Sequence, residues 1–157
     1  LCRREFGNET ILLADANGSY DAPHAIRVGK LMQDFGYALF EEPYPFEEFE
    51  TQRKIAQALE IPIASGKQDS SLPKFQWLLE NKAVAVLQPD VHYNGGLVRT
   101  LRVARMAACH SVPVIPHSPQ SGAPICHAMQ LVAVLPNIFI LLWNTLLLPT
   151  TPHTPAA

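Results

Sequence analysis

The sequence has 157 residues, 48% hydrophobic and 17% charged, with 12 basic residues against 14 acidic for a net charge of −2. That length suits one domain or a large piece of one, and the apolar content fills a core that a disordered chain would lack. No basic tract offers a footprint for nucleic acid. Three cysteines at long spacings (Cys2, Cys109 and Cys126) form neither a disulfide framework nor a zinc motif, which fits reduced thiols in the cytoplasm. The N-terminal Arg3-Arg4 pair has no apolar stretch behind it, so it does not read as a secretory signal. The most apolar run, 138–148, is far shorter than the ~20 residues that span a bilayer, so no membrane partner is expected.

Short apolar runs alternate with segments of helical period along the chain. A run at 11–14 precedes 23–35, where Ala25, Val28, Leu31, Met32 and Phe35 mark one face. Runs at 37–40, 61–64, 84–87 and 112–115 precede helical patterns at 46–59, 72–80, 97–109 and 122–135, and 138–142 reads as a last strand. The expectation is six strands and five helices over 1–143, followed by a Pro/Thr-rich, disordered tail at 144–157. The strands are uniformly apolar, as parallel strands covered by helices are. The pattern itself does not separate a barrel from an open doubly wound sheet.

The polar residues favour the barrel. Asp15, Glu41, Lys67, Asp90 and His117 each follow an apolar run within a few residues, at the C-terminal rim where parallel α/β folds place their chemistry. They recur at intervals of roughly 25 residues, about one eighth of a small eight-stranded barrel. The expected fold is therefore part of a TIM-type (β/α) barrel. Six strands would leave two open edges, which invite association into a homo-oligomer.

Asp15 and Glu41 on neighbouring strand ends are the hard oxygen donors that Mg²⁺ uses; a turn start and a solvated strand end are the plainer account of the same two residues. Asp15-Ala16-Asn17-Gly18 does not make an EF-hand, because the glycine is early and Ile26 stands where the bidentate glutamate belongs. His117 follows one strand and Asp90 the strand before it. An Asp bonded to an imidazole fixes its tautomer and raises its basicity, so the pair suits proton removal from carbon. The other histidines have ordinary places, with His92 a lesser candidate near the rim. Asn94-Gly95-Gly96 reads either as an anion cradle or as a simple glycine turn.

Taken together, Leu12-Leu13-Ala14-Asp15-Ala16-Asn17, Phe40-Glu41-Glu42-Pro43, Ala64-Ser65-Gly66, Gln88-Pro89-Asp90 with Asn94-Gly95-Gly96, and Pro116-His117-Ser118 resemble the enolase superfamily, mandelate racemase/muconate lactonizing enzyme group. The match covers about 11–137. The resemblance implies the C-terminal barrel of an Mg²⁺-dependent enzyme that removes the proton α to a substrate carboxylate. Its class would be an acid-sugar dehydratase (a lyase) or a racemase/epimerase, acting on a small-molecule acid sugar. By position, Asp15 and Glu41 resemble the first two metal ligands, His117 the general base and Asp90 its orienting partner.

Three departures accompany the resemblance. Lys67 stands where the family has its third ligand, a glutamate, and is expected to pair with Asp15 and Glu41; Asp69 is the substitute oxygen donor to consider. The 14 residues before Asp15 are too few for the family's lid and its lysine-bearing second base. Residues 138–142 stand where a last-strand glutamate is usual. The chain also begins at leucine, as a piece of a longer reading frame does. The alternative expectation is a catalytically inactive barrel fragment, and a third is a binding module that keeps the acidic rim for a cationic or hydroxylated small molecule.

Overall fold

The computed structural model describes residues 1–119, 123–135, 137 and 138. The tail at 144–157 and the end of the expected strand at 138–142 lie outside the described residues. The elements run α1 (Cys2–Phe6), β1 (Leu13–Asp15), α2 (Ala22–Asp34), β2 (Leu39–Glu41), α3 (Phe49–Ala58), β3 (Ile63–Ser65), α4 (Leu72–Glu80), β4 (Val86–Leu87), α5 (Leu97–Cys109) and α6 (Ala123–Val132).

The four strands are parallel and lie in sequence order, β1-β2-β3-β4. Parallel bridges Leu87 to Val114 and Val114 to Ile138 continue the order by two more positions. A doubly wound sheet reverses direction at a switch point, whereas a barrel adds each strand beside the last. The uninterrupted order is that of a TIM-type barrel, of which this chain forms part. Two of the six expected strands are thus bridge positions among the described residues rather than ladders. α1 was not expected from the sequence, because its five residues carry no buried side chain and no side-chain cap.

Strand alternation sorts the side chains into two layers. Phe40 and Ile63 pack with Met32 and Ile61 under α2 and α3. Leu39, Ala64, Val86 and Ile115 form a second cluster, joined by Leu13. The largest cluster lies under α4, α5 and α6 around Phe75, Leu87, Val103, Val114 and Leu131. Truncating the fully buried Phe75 to alanine would cost about 3–5 kcal/mol. Close approach of α2 to α3 depends on Gly29, where a Cβ would stand 2.4 Å from a Leu59 methyl.

The helix starts are set by local chemistry. Asp21 caps α2 by accepting the His24 amide at 2.9 Å, and Ser71 caps α4 through the Lys74 amide at 3.4 Å. Both helices carry a proline in their first turn, where its missing N–H has no partner to lose. At the opposite end of the strands from these starts, Arg3 donates to the carbonyls of Phe35, Gly36, Gly7, Asn8 and Thr10, clasping the N-terminal segment to the turn before β2. The three cysteines are free and exposed. No helix among the described residues is long and apolar enough to cross a membrane.

Candidate active site

Asp15 and Glu41 are partners in the β1–β2 register, so their side chains leave the same face of the sheet side by side. Past the end of β3, Gly66 adopts φ +111°, a conformation that a side chain would strain, and turns the chain so that Lys67 reaches back over the rim. Its Nζ donates to Asp15 Oδ2 at 2.5 Å and to Glu41 Oε1 at 2.9 Å, and stands 3.6 Å from Glu42 Oε2. The pairing expected from the sequence is the one observed.

Glu42 should point away from Glu41, because successive strand residues face opposite sides. Its φ of +37° breaks the alternation and brings both carboxylates towards one ammonium. No sequence pattern announced that role. Gln68 donates to Glu42 Oε2 at 2.8 Å. Gln88 was also missed: it reaches across β3 and donates to Glu41 Oε2 at 2.9 Å. Its place one alternation beyond Val86, on the same face as Glu41, is the signal that could have found it.

The Lys67 side chain is only 5% exposed, against 38% for Asp15 and 17% for Glu41. Burial alone would lower the pKa of its ammonium, but the hydrogen bonds to Asp15 and Glu41 and the charges of Glu41 and Glu42 outweigh it, and the net shift is upward. Burial pushes the Glu42 carboxyl up, against the opposing effects of Gln68 and Lys67. Asp69, considered as a substitute ligand, turns instead to Lys74 Nζ at 2.6 Å, and its carboxyl is also pushed up by burial.

Farther along the rim, Asp90 and His117 form a parallel bridge, which places the two side chains on adjacent strand ends. Asp90 is fully buried. Its Oδ1 accepts the amides of His92 at 2.7 Å and Tyr93 at 2.9 Å, and its Oδ2 meets His117 Nδ1 at 2.8 Å. With Asp90 ionised, Nδ1 carries the proton and Nε2 is left as the acceptor. The imidazole is 24% exposed, so it retains access to solvent. His92, the lesser candidate, lies 5.7 Å from His127 between ring centroids, apart from this pair.

The donor set does not fit a divalent cation. Mg²⁺ needs near-octahedral oxygen ligands at about 2.1 Å. The inward oxygens of Asp15 and Glu41 converge instead on a charged ammonium, which cannot ligate a metal. Among the described residues no group of three or more His, Cys, Asp or Glu side chains is placed to hold an ion. The metal-ligand roles that the resemblance implied for Asp15 and Glu41 are therefore replaced, in this geometry, by acceptor roles toward Lys67.

The Enolase C-terminal domain-like family profile matches residues 1–153. The chain belongs to this family. L-talarate/galactarate dehydratase of Salmonella typhimurium is 34% identical over 115 residues, covering 73% of this chain and 29% of the dehydratase. D-galactonate dehydratase of Ralstonia pickettii is 33% identical over 117 residues, 74% of this chain and 31% of that enzyme. Among solved structures, a Roseobacter denitrificans protein superposes with a TM-score of 0.84 at 40% identity, over 87% of this chain and 37% of its own. This enolase-type chain thus spans about a third of the length of the relatives it matches. A structure of the Salmonella dehydratase is liganded with Mg and L-lyxarohydroxamate.

Proposed function

We propose that this chain supplies the base-bearing part of an enolase-superfamily site, in which His117 Nε2 takes the proton α to the carboxylate of an acid sugar. The observation that carries the reading is the Asp90–His117 pair: a buried carboxylate anchored by two backbone amides, bonded to Nδ1 of an imidazole whose other nitrogen has no hydrogen-bond partner among the described residues. Asp90 acts as a positioning residue, holding the tautomer that can accept a proton. The family relatives that process talarate, galactarate and galactonate support the acid-sugar class.

A second reading has its own observation. The covered Lys67 ammonium offers no open coordination position to a substrate oxygen, and an enediolate needs strong charge stabilisation to form. On that reading the chain is catalytically inactive and binds without turnover. Incubating the chain with galactarate, talarate and galactonate in D₂O and following the α-proton signal by NMR decides between them. Exchange that falls about a hundredfold or more in His117→Asn supports the first. Saturable binding without exchange supports the second, and exchange retained by His117→Asn overturns the assignment of the base.

A further inference from the structure

We propose that Lys67 is the resident cation of this rim: its ammonium occupies the point between the Asp15 and Glu41 carboxylates and closes three strand ends without a divalent metal. The proposal goes beyond the proton-transfer reading and does not depend on it. Lys67 is delivered to that point by backbone geometry, through the positive φ of Gly66 and the turned-in Glu42. Each carboxylate is also held from behind. Asp15 Oδ1 accepts the Asn17 amide at 2.8 Å, and Glu41 Oε2 accepts Gln88 at 2.9 Å, so in each the other oxygen is aimed at Nζ.

Charge points the same way. One ammonium already faces the Asp15 and Glu41 carboxylates, with the turned-in Glu42 3.6 Å away, so a cation stands at the centre of the cluster. A divalent ion entering the same space would meet the ammonium at close range, where like charges repel strongly because so little water lies between them. To admit the ion, Lys67 would have to leave a covered position in which it makes two charge-assisted hydrogen bonds. The three strand ends are then braced in every metal condition, and what bars the cation is one side chain. Replacing it with a carboxylate removes the barrier and adds a third oxygen donor.

The test is a Mn²⁺ titration of the 157-residue chain read by loss of the free-ion EPR signal, with melting in Mg²⁺ and in EDTA measured in parallel. The parent chain is expected to leave the Mn²⁺ signal unchanged and to melt identically in both buffers. Lys67→Glu is expected to bind Mn²⁺ roughly a hundredfold more tightly than the parent and to melt higher with Mg²⁺. Mn²⁺ binding by the parent that disappears in Asp15→Asn overturns the proposal, as does a folded Lys67→Glu with no gain in affinity. Should Lys67→Glu not fold, reductive methylation of the parent provides the check. Lys67 is expected to react far more slowly than the exposed Lys54, and equal rates overturn the claim. None of these readouts involves His117, so a failure of proton exchange leaves them intact.

Discussion

Between β1 and β3 the rim is closed by a cation of its own, and the Lys67 side chain is almost wholly covered. Beyond β4 the same rim carries Asp90, fully buried, and His117, which among the described residues keeps one nitrogen free and has a quarter of its side chain open. Both halves use carboxylates at the ends of adjacent parallel strands. The partner decides the outcome: an ammonium consumes the acceptors it meets, whereas an imidazole uses one nitrogen to bond its carboxylate and presents the other. One half is thereby suited to holding strands together and the other to moving a proton.

The contrast can be broken most forcefully at Lys67. Lys67→Met leaves Asp15 and Glu41 facing each other without a counter-charge, and should lower unfolding free energy by about 3 kcal/mol in urea titrations. Adding Asp15→Asn to that variant should recover part of the loss; no recovery would mean that the brace is not electrostatic. The next largest effect should come from Asp90→Asn. The asparagine carbonyl can still accept the two backbone amides, but its amide nitrogen faces His117 Nδ1 and forces the proton onto Nε2. Proton exchange should fall by about a hundredfold, stability by only about 1 kcal/mol, and nitrogen NMR of His117 should show the reversed tautomer.

Gln88→Leu tests whether the two halves are tied, since Gln88 sits two residues before Asp90 and bonds Glu41. It should cost about 1 kcal/mol and leave the His117 tautomer as it was. The smallest effect should be the alkaline one. The Lys67 pKa is raised on folding above its ordinary value of 10.5, so its contribution is fully present below that value and is lost as pH rises through the folded one. Stability measured across that window should decline in the parent, and the Lys67 part of the decline should be missing in Lys67→Met.

Much of this arrangement was legible in the sequence, for identifiable reasons. Uniformly apolar runs followed by a single polar residue at regular spacing placed Asp15, Glu41, Lys67, Asp90 and His117 on one rim. The place of Lys67 at the third-ligand position of the resembled family then made its pairing with Asp15 and Glu41 expected. Helices α4 and α5 were read to the residue, because a capping serine with a following proline and a glycine pair mark where they begin. The strands begin later than their apolar runs: Ile11 and Leu12 precede the β1 ladder, just as Tyr37 and Ala38 precede β2. Hydrophobicity reports burial, whereas a ladder also needs a partner in register. Glu42 stayed hidden because its part depends on a left-handed backbone at a non-glycine residue, which composition does not encode. α1 stayed hidden because a helix with no apolar face carries no periodic signal.

The sequential strand order also has a kinetic consequence. The Asp90–His117 bond joins residues 27 apart, within one β/α unit and its neighbour, whereas the Lys67–Asp15 bond spans 52 residues and three strands. Doubling a loop raises its closure cost by only about 0.6 kcal/mol, so the larger difference is topological. The proton-handling pair can be assembled by a local piece of the chain, but the lysine brace forms only after three consecutive strands are in register. Pulsed hydrogen exchange during refolding should find the amides of His92 and Tyr93 protected before that of Asn17.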